Sequence, residues 1–264
     1  MSSIIRPTPR QRTRRLVVLA AALFAIVAPL VQTLTGLGLT QAEFAADGNG
    51  TLRVAGYAFS IWGLIYAGIL AYAVRQALPQ TGESPLLTRM GLPSAVAFFG
   101  IGFWIVVAAM NLKAASVAVI FAALLALLLP LLTVSGAVRA LPRMDRERLL
   151  LVWPLAALAG WLTVAAPLNL ITTVTAFGAL PTALSPSLWA IVAIVAVTVV
   201  ALGVTASLRT LAYPLPVAWG LLGAFVAEQA EKPAMAFTAL AGAVVLLIAG
   251  VLLSFRLRPG VERA

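Results

Sequence analysis

The chain has 264 residues, 62% of them hydrophobic and only 10% charged, against roughly 25% charged in an ordinary soluble domain. Its mean hydropathy of +1.05 excludes a water-soluble globule. With no cysteine and no histidine, it can build no thiolate or imidazole metal site, no disulfide, no Ser-His or Cys-His nucleophile pair and no His-ligated haem. The net charge of +10 is not a nucleic-acid footprint, because the basic residues lie in short runs between apolar stretches and not on one face.

A hydrocarbon core about 30 Å thick takes about 20 apolar residues of helix. Eight such runs follow one another: Leu16 to Gly36, Val54 to Val74, Gly91 to Leu112, Ala114 to Gly136, Leu149 to Ile171, Pro186 to Leu208, Leu211 to Gln229 and Ala234 to Phe255. Backbone groups in lipid must be satisfied within the chain, and period-2 alternation is absent, so the pattern predicts an all-α polytopic membrane bundle of eight transmembrane helices. A basic segment, 1–15, precedes it and a short tail, 256–264, follows. The alternative for the first span is a cleaved signal peptide. The apolar run from Leu16 to Leu39 exceeds the h-region of about 7 to 15 residues that such a peptide carries.

Sidedness follows from the connections. Of the 18 basic residues, only Arg53, Lys113 and Lys232 fall on the side opposite the N-terminus, which predicts both termini in the cytoplasm and a multi-pass protein of the cell membrane. The longest connection on the outer side, Leu37 to Arg53, contains the turn-forming run Asp47-Gly48-Asn49-Gly50 and reads as a polar flap over the end of the bundle.

Tryptophan usually sits at headgroup level, and Trp153 and Trp189 fit that rule. Trp62, Trp104, Trp161 and Trp219 do not, since each lies near the middle of its span. Counted down from Arg53, Asn111, Asn169 and Glu228, all four fall at a depth of roughly 10 to 14 Å. That predicts a pocket that is aromatic at depth and polar at its mouth, with Arg53, Asn111, Lys113, Asn169 and Glu228 on the rim. In the second span Phe59, Trp62 and Tyr66 share one face, while Gly56, Ser60, Gly63, Ala67 and Ala71 form a small-residue stripe expected to pack closely against a neighbour. Aromatic stripes of this kind also serve as plain helix-helix filling.

The run Phe59-Ser60-Ile61-Trp62-Gly63-Leu64-Ile65-Tyr66 resembles the second-helix signature of the translocator protein or tryptophan-rich sensory protein family (TspO/MBR). Asn111 matches that family's asparagine at the end of the third helix, and Trp161, Ala165 and Asn169 repeat its W-x3-A-x3-N spacing in the fifth. The resemblance covers 16–171 as a five-helix membrane domain and leaves 186–255 as three additional helices. It implies a pocket, lidded by the loop after the first helix, that binds porphyrins and other bulky lipophilic molecules. By that similarity Trp62, Asn111, Trp161, Ala165 and Asn169 would contact ligand; the reading of depth and helix face adds Phe59, Tyr66, Trp104 and Trp219 to the expected ligand-binding set. Two departures stand out: Leu155 replaces the family's aromatic after the fifth-helix proline, and Pro154 lies seven residues before the Trp instead of four.

A porphyrin would stack on the indoles and direct its propionates to Arg53 or Lys113. The deep parts of the spans carry no Asp, Glu, Lys or Arg, so neither an enzyme nor an ion-coupled pump is expected, and no cofactor is required beyond a possible tetrapyrrole ligand. The expected partners are the lipid bilayer, a porphyrin-like lipophile and a second copy of the chain, the last through stripes such as Ala239, Gly242 and Ala243. A passive permease or exporter of small lipophilic solutes and a non-catalytic structural subunit are the alternatives. Flux in liposomes and stability changes without a ligand response would distinguish them.

Overall fold

The structure, a computed structural model, describes residues 7–78 and 80–255; the tail 256–264 and the first six residues of the basic segment lie outside the described residues. Helix α1 (Pro9–Thr35) begins inside the basic segment, because Thr8 and Gln11 form a reciprocal capping box and Pro9 occupies the first turn. A short helix α2 (Gln41–Ala46) follows, then a 3-10 turn (Gly56–Ser60) leading into α3 (Ile61–Ala77). The chain continues through α4 (Pro85–Ala109), α5 (Lys113–Thr133), a short α6 (Ser135–Ala140), a π turn (Arg148–Val152), α7 (Trp153–Ala176), α8 (Pro186–Leu208), α9 (Pro214–Glu228) and α10 (Pro233–Phe255).

Seven of the described helices are long and apolar enough to cross a membrane, and α9 is a shorter apolar helix. Each of the eight expected apolar runs is therefore helical, and only α9 is shorter than the others. With 15 residues, α9 is about 22 Å long, because Pro214 and Pro216 set its start and Leu211–Tyr213 form turns before it. Its flanks still meet opposite ends of the bundle. The Arg209 carbonyl before it accepts from Arg148 at 3.0 Å, and Glu228 at its far end receives the Arg53 backbone N–H. Helix and turns together cover the distance. Pro29, Pro93, Pro130 and Pro167 lie inside continuous helices, so they open no broken helix of the transporter kind.

Helix α7 is the hub, touching α2, α3, α5, α8 and α9, while α1 packs on α3 and α4, and α10 on α8 and α9. Its approach to α9 is set by Gly160, where a Cβ would strike the Tyr213 carbonyl. Beside it, Thr163 and Tyr213 pair their hydroxyls at 2.8 Å, so two buried polar groups satisfy each other across the joint. At the start of α7, Pro154 cannot donate a backbone hydrogen bond, and the preceding turn widens so that Trp153 N–H reaches Arg148.

The small-residue stripe of α3 does not pack as expected. Ser60, Gly63, Ala67 and Ala71 are exposed, and nothing lies within 4 Å of a Cβ built on Gly63. The stripe of α10 packs internally: Ala239 and Ala243 are fully buried, and Gly242 faces Thr198 and Leu221.

Candidate aromatic pocket beneath a helical lid

Three of the four mid-span tryptophans come together. Trp62 and Trp161 are perpendicular with centroids 6.1 Å apart, and Phe59 meets Trp161 edge-on at 6.3 Å. Trp104 approaches from α4. The pocket they line is completed by Ile120, Ala165, Leu168, Asn169 and Thr172 and, from α2, by Gln41, Phe44 and Ala45. Phe59 enters from the 3-10 turn and not from α3 itself, so the turn aims its ring sideways at Trp161.

The pocket contains an unusual set of polar atoms. The indole Nε1 groups of Trp104 and Trp161 are buried without a hydrogen-bond partner, as are Asn169 Nδ2 and Thr172 Oγ1. The other amide atom of Asn169, Oδ1, lies 2.9 Å from the Ser116 hydroxyl. An indole N–H can only donate, and buried donors without partners are rare in folded proteins. Residues that line the pocket thus carry donors with no hydrogen-bond partner in the protein.

The connection after α1 does more than cover the end of the bundle. Thr40 and Glu43 form a second capping box, which makes the middle of the predicted flap a helical turn. The N–H of Thr40 and its hydroxyl hold the exposed Glu43 carboxyl below its usual pKa. The turn drives Phe44 inward, where it is 2% exposed and stands 6.1 Å from Trp104 with the rings at 78°. Gly48 lies over Thr172 so closely that a Cβ would clash with it. With this lid shut, the aromatic pocket has a free volume of about 30 Å³, room for a water or two. A wider cavity of about 300 Å³ adjoins it, lined by Arg53, Asn49, Leu52, Val54, Ala227 and Leu168 among others. Leu168 and Ala45 belong to both walls.

Several expected site residues take other roles. Trp219 does not line the aromatic pocket. Its Nε1 donates to the Ala58 carbonyl at 2.9 Å and its ring meets Tyr57 edge-on at 5.3 Å, which fastens α9 to the 3-10 turn. Tyr66 stacks behind Trp62 at 5.2 Å and is not among the lining residues. Asn111 is exposed and has φ of 57°, a left-handed conformation that Asn tolerates and that ends α4; its Oδ1 accepts from Lys113 at 2.7 Å.

The rim cations are already paired. Lys113 forms an ion pair with Asp47 of the lid and lies 4.9 Å from the centre of the Phe44 ring. Arg53 contacts Glu228 at 3.2 Å and Glu231 at 3.0 Å. The hydrogen bond to Glu228 is the main reason its guanidinium pKa is pushed up further. An anionic ligand would therefore compete with carboxylates for these groups.

Sequence reasoning missed Phe44, Gln41, Ala45, Ile120, Leu168 and Thr172. The Thr40-x-x-Glu43 capping box followed by an aromatic was the signal for Phe44. Gln41, Ala45, Ile120, Leu168 and Thr172 carry no such signal, and their place at the pocket depends on packing alone.

A polytopic helical bundle enclosing an aromatic pocket beneath a lid defines the class: an integral multi-pass membrane protein. Residues 14–252 match the family model described as TSPO-like protein, and the chain belongs to that family. The match runs through α8, α9 and α10, beyond the five spans in which the motifs resemble it. No curated protein and no solved structure matches the chain.

Proposed function

We propose that this protein binds a bulky lipophilic ligand of porphyrin type in the aromatic pocket, for sensing or translocation, without catalysing a reaction. The observation that carries the reading is the pair of unpartnered indole N–H groups, Trp104 and Trp161, in a pocket walled by aromatic rings. Such a site suits a flat π-system bearing carbonyl or carboxylate acceptors, with the rings supplying stacking area and the indoles directionality. Catalysis would require general acids or bases at depth, and the pocket lining has no titratable side chain. Occupation requires the lid to move, because ligand pockets of this kind hold roughly 300 to 1,000 Å³.

The test is indole fluorescence of the purified protein titrated with protoporphyrin IX. Quenching should saturate in the wild type and disappear in Trp62→Ala and Trp161→Ala. If both variants are quenched as the wild type is, the pocket assignment is wrong.

A second reading, a passive permease for small lipophilic solutes, is favoured by Leu168, which borders the aromatic pocket, the outer cavity and a third, wholly apolar cavity between α7, α8 and α9. Solute flux in liposomes containing only this protein would support it.

A further inference from the structure

The segment that carries the lid is fastened to the last helices of the chain. Lys232, in the turn between α9 and α10, donates to the carbonyls of Asn49, Gly50 and Thr51 at 3.2 to 3.3 Å. It also bonds Glu228 at 3.3 Å. Glu228 has no exposed surface and accepts from the Arg53 backbone N–H at 2.7 Å and the Arg53 guanidinium at 3.2 Å. Arg53 in turn donates to the Ala227 carbonyl at 3.0 Å. Three consecutive carbonyls held by one ammonium are a backbone clasp: the interaction fixes chain path and asks nothing of side chains in residues 49–51.

The position of the clasp gives it a consequence. It begins at Asn49, directly after Gly48, which seals Thr172, and three residues beyond the end of α2. On the other flank, the ion pair of Lys113 with Asp47 binds the lid to α5. The aromatic pocket has about 30 Å³ free, so nothing large is admitted unless the lid lifts.

We infer that Lys232 and Glu228 are positioning residues for ligand admission: the turn joining α9 and α10 holds the lid closed over the aromatic pocket, and loosening it opens the pocket. This gives the last three helices a task, clamping the lid from the side. The inference rests on the proposed function only for what passes beneath the lid; the closure itself is a property of the chain alone. A buried carboxylate suits the part. It holds Lys232 and Arg53 at once, and local openings of this kind draw on few contacts.

The chain contains no cysteine, which permits a readout independent of any ligand. Thr172 is 1% exposed beneath Gly48, so Thr172→Cys in the full-length protein reports lid opening through its rate of maleimide labelling. In that background Lys232→Met should raise the labelling rate about tenfold, in proportion to the open population, and Lys232→Arg should restore much of the slow rate. Glu228→Gln serves as a second variant that keeps the side chain's volume. In the cysteine-free chain, Lys232→Met should speed both association and dissociation of protoporphyrin IX while changing its equilibrium affinity much less. A purely structural role would lower thermal stability and leave the ratio of labelling to unfolding unchanged. Labelling at the wild-type rate in both Lys232→Met and Glu228→Gln would overturn the inference. Faster labelling with no protoporphyrin binding by any version of the protein would uphold the clasp and refute the proposed ligand.

Discussion

The rings of Phe44 and Trp104 stand nearly perpendicular, 6.1 Å between centroids, and through this contact a residue of the lid closes a pocket whose indole walls belong to α3, α4 and α7. Phe44→Ala should leave the helices in place and enlarge the pocket. Both the association and the dissociation rate of protoporphyrin IX, measured by stopped-flow quenching, are expected to rise about tenfold, since the barrier to local opening falls. An unchanged association rate would show that the ligand bypasses the lid.

Trp219 separates pocket from scaffold. Trp219→Phe keeps an aromatic ring and removes the donor to the Ala58 carbonyl, so stability should fall by about 1 kcal/mol with protoporphyrin affinity unchanged. Trp161→Phe removes an unpartnered indole N–H, and it should weaken ligand binding with little loss of stability. Thermal unfolding in detergent, set beside a fluorescence titration, distinguishes the two.

Two glycines make a paired test of the packing. Gly160 has the Tyr213 backbone where a Cβ would go, whereas Gly63 has nothing within 4 Å. Gly160→Ala should therefore cost about 1–3 kcal/mol by overpacking. Gly63→Ala, on the exposed stripe, should be neutral or stabilise by about 0.4–1 kcal/mol through the unfolded chain. Equal melting temperatures for the two variants would contradict the observed approach of α7 to α9.

At the Arg-rich end, Glu83 receives Arg15 at 2.9 Å and also pairs with Arg14. Burial raises its pKa, but the hydrogen bonds from Arg14, Thr88 and Arg15 outweigh burial and hold it below the ordinary value of 4.5. A depressed folded-state pKa gives stability that is fully present above the unfolded value and is lost as pH falls through the folded one. Melting temperature should thus stay level from neutral pH to about 5 and decline below it, and Glu83→Gln should flatten that decline.

Much of the fold was legible because burial in hydrocarbon is decided residue by residue along a helix. Seven of the eight predicted spans are full-length helices, and the eighth is shortened because Pro214 and Pro216 fix its start. Depth was legible for the same reason: 1.5 Å per residue places Trp62, Trp104 and Trp161 near one level without any knowledge of neighbours. Rotation about each helix axis was not. The α3 stripe points away from the bundle, and Trp219, at a similar predicted depth, faces the 3-10 turn, because packing against a partner sets which side of a helix looks inward.

The sequence by itself determined that this is a helical membrane protein with deep indoles and a charge bias between its two ends, since hydropathy, rise per residue and the count of arginines are local and additive. Only the tertiary structure decided that three of the four indoles share a pocket, that Phe44 stoppers it, and that Arg53 and Lys113 are already held by carboxylates. These outcomes depend on groups distant in the chain, Phe44 with Trp104 or Arg53 with Glu228, whose meeting is fixed by the close fit of several helices at once and by the need of buried charges for partners.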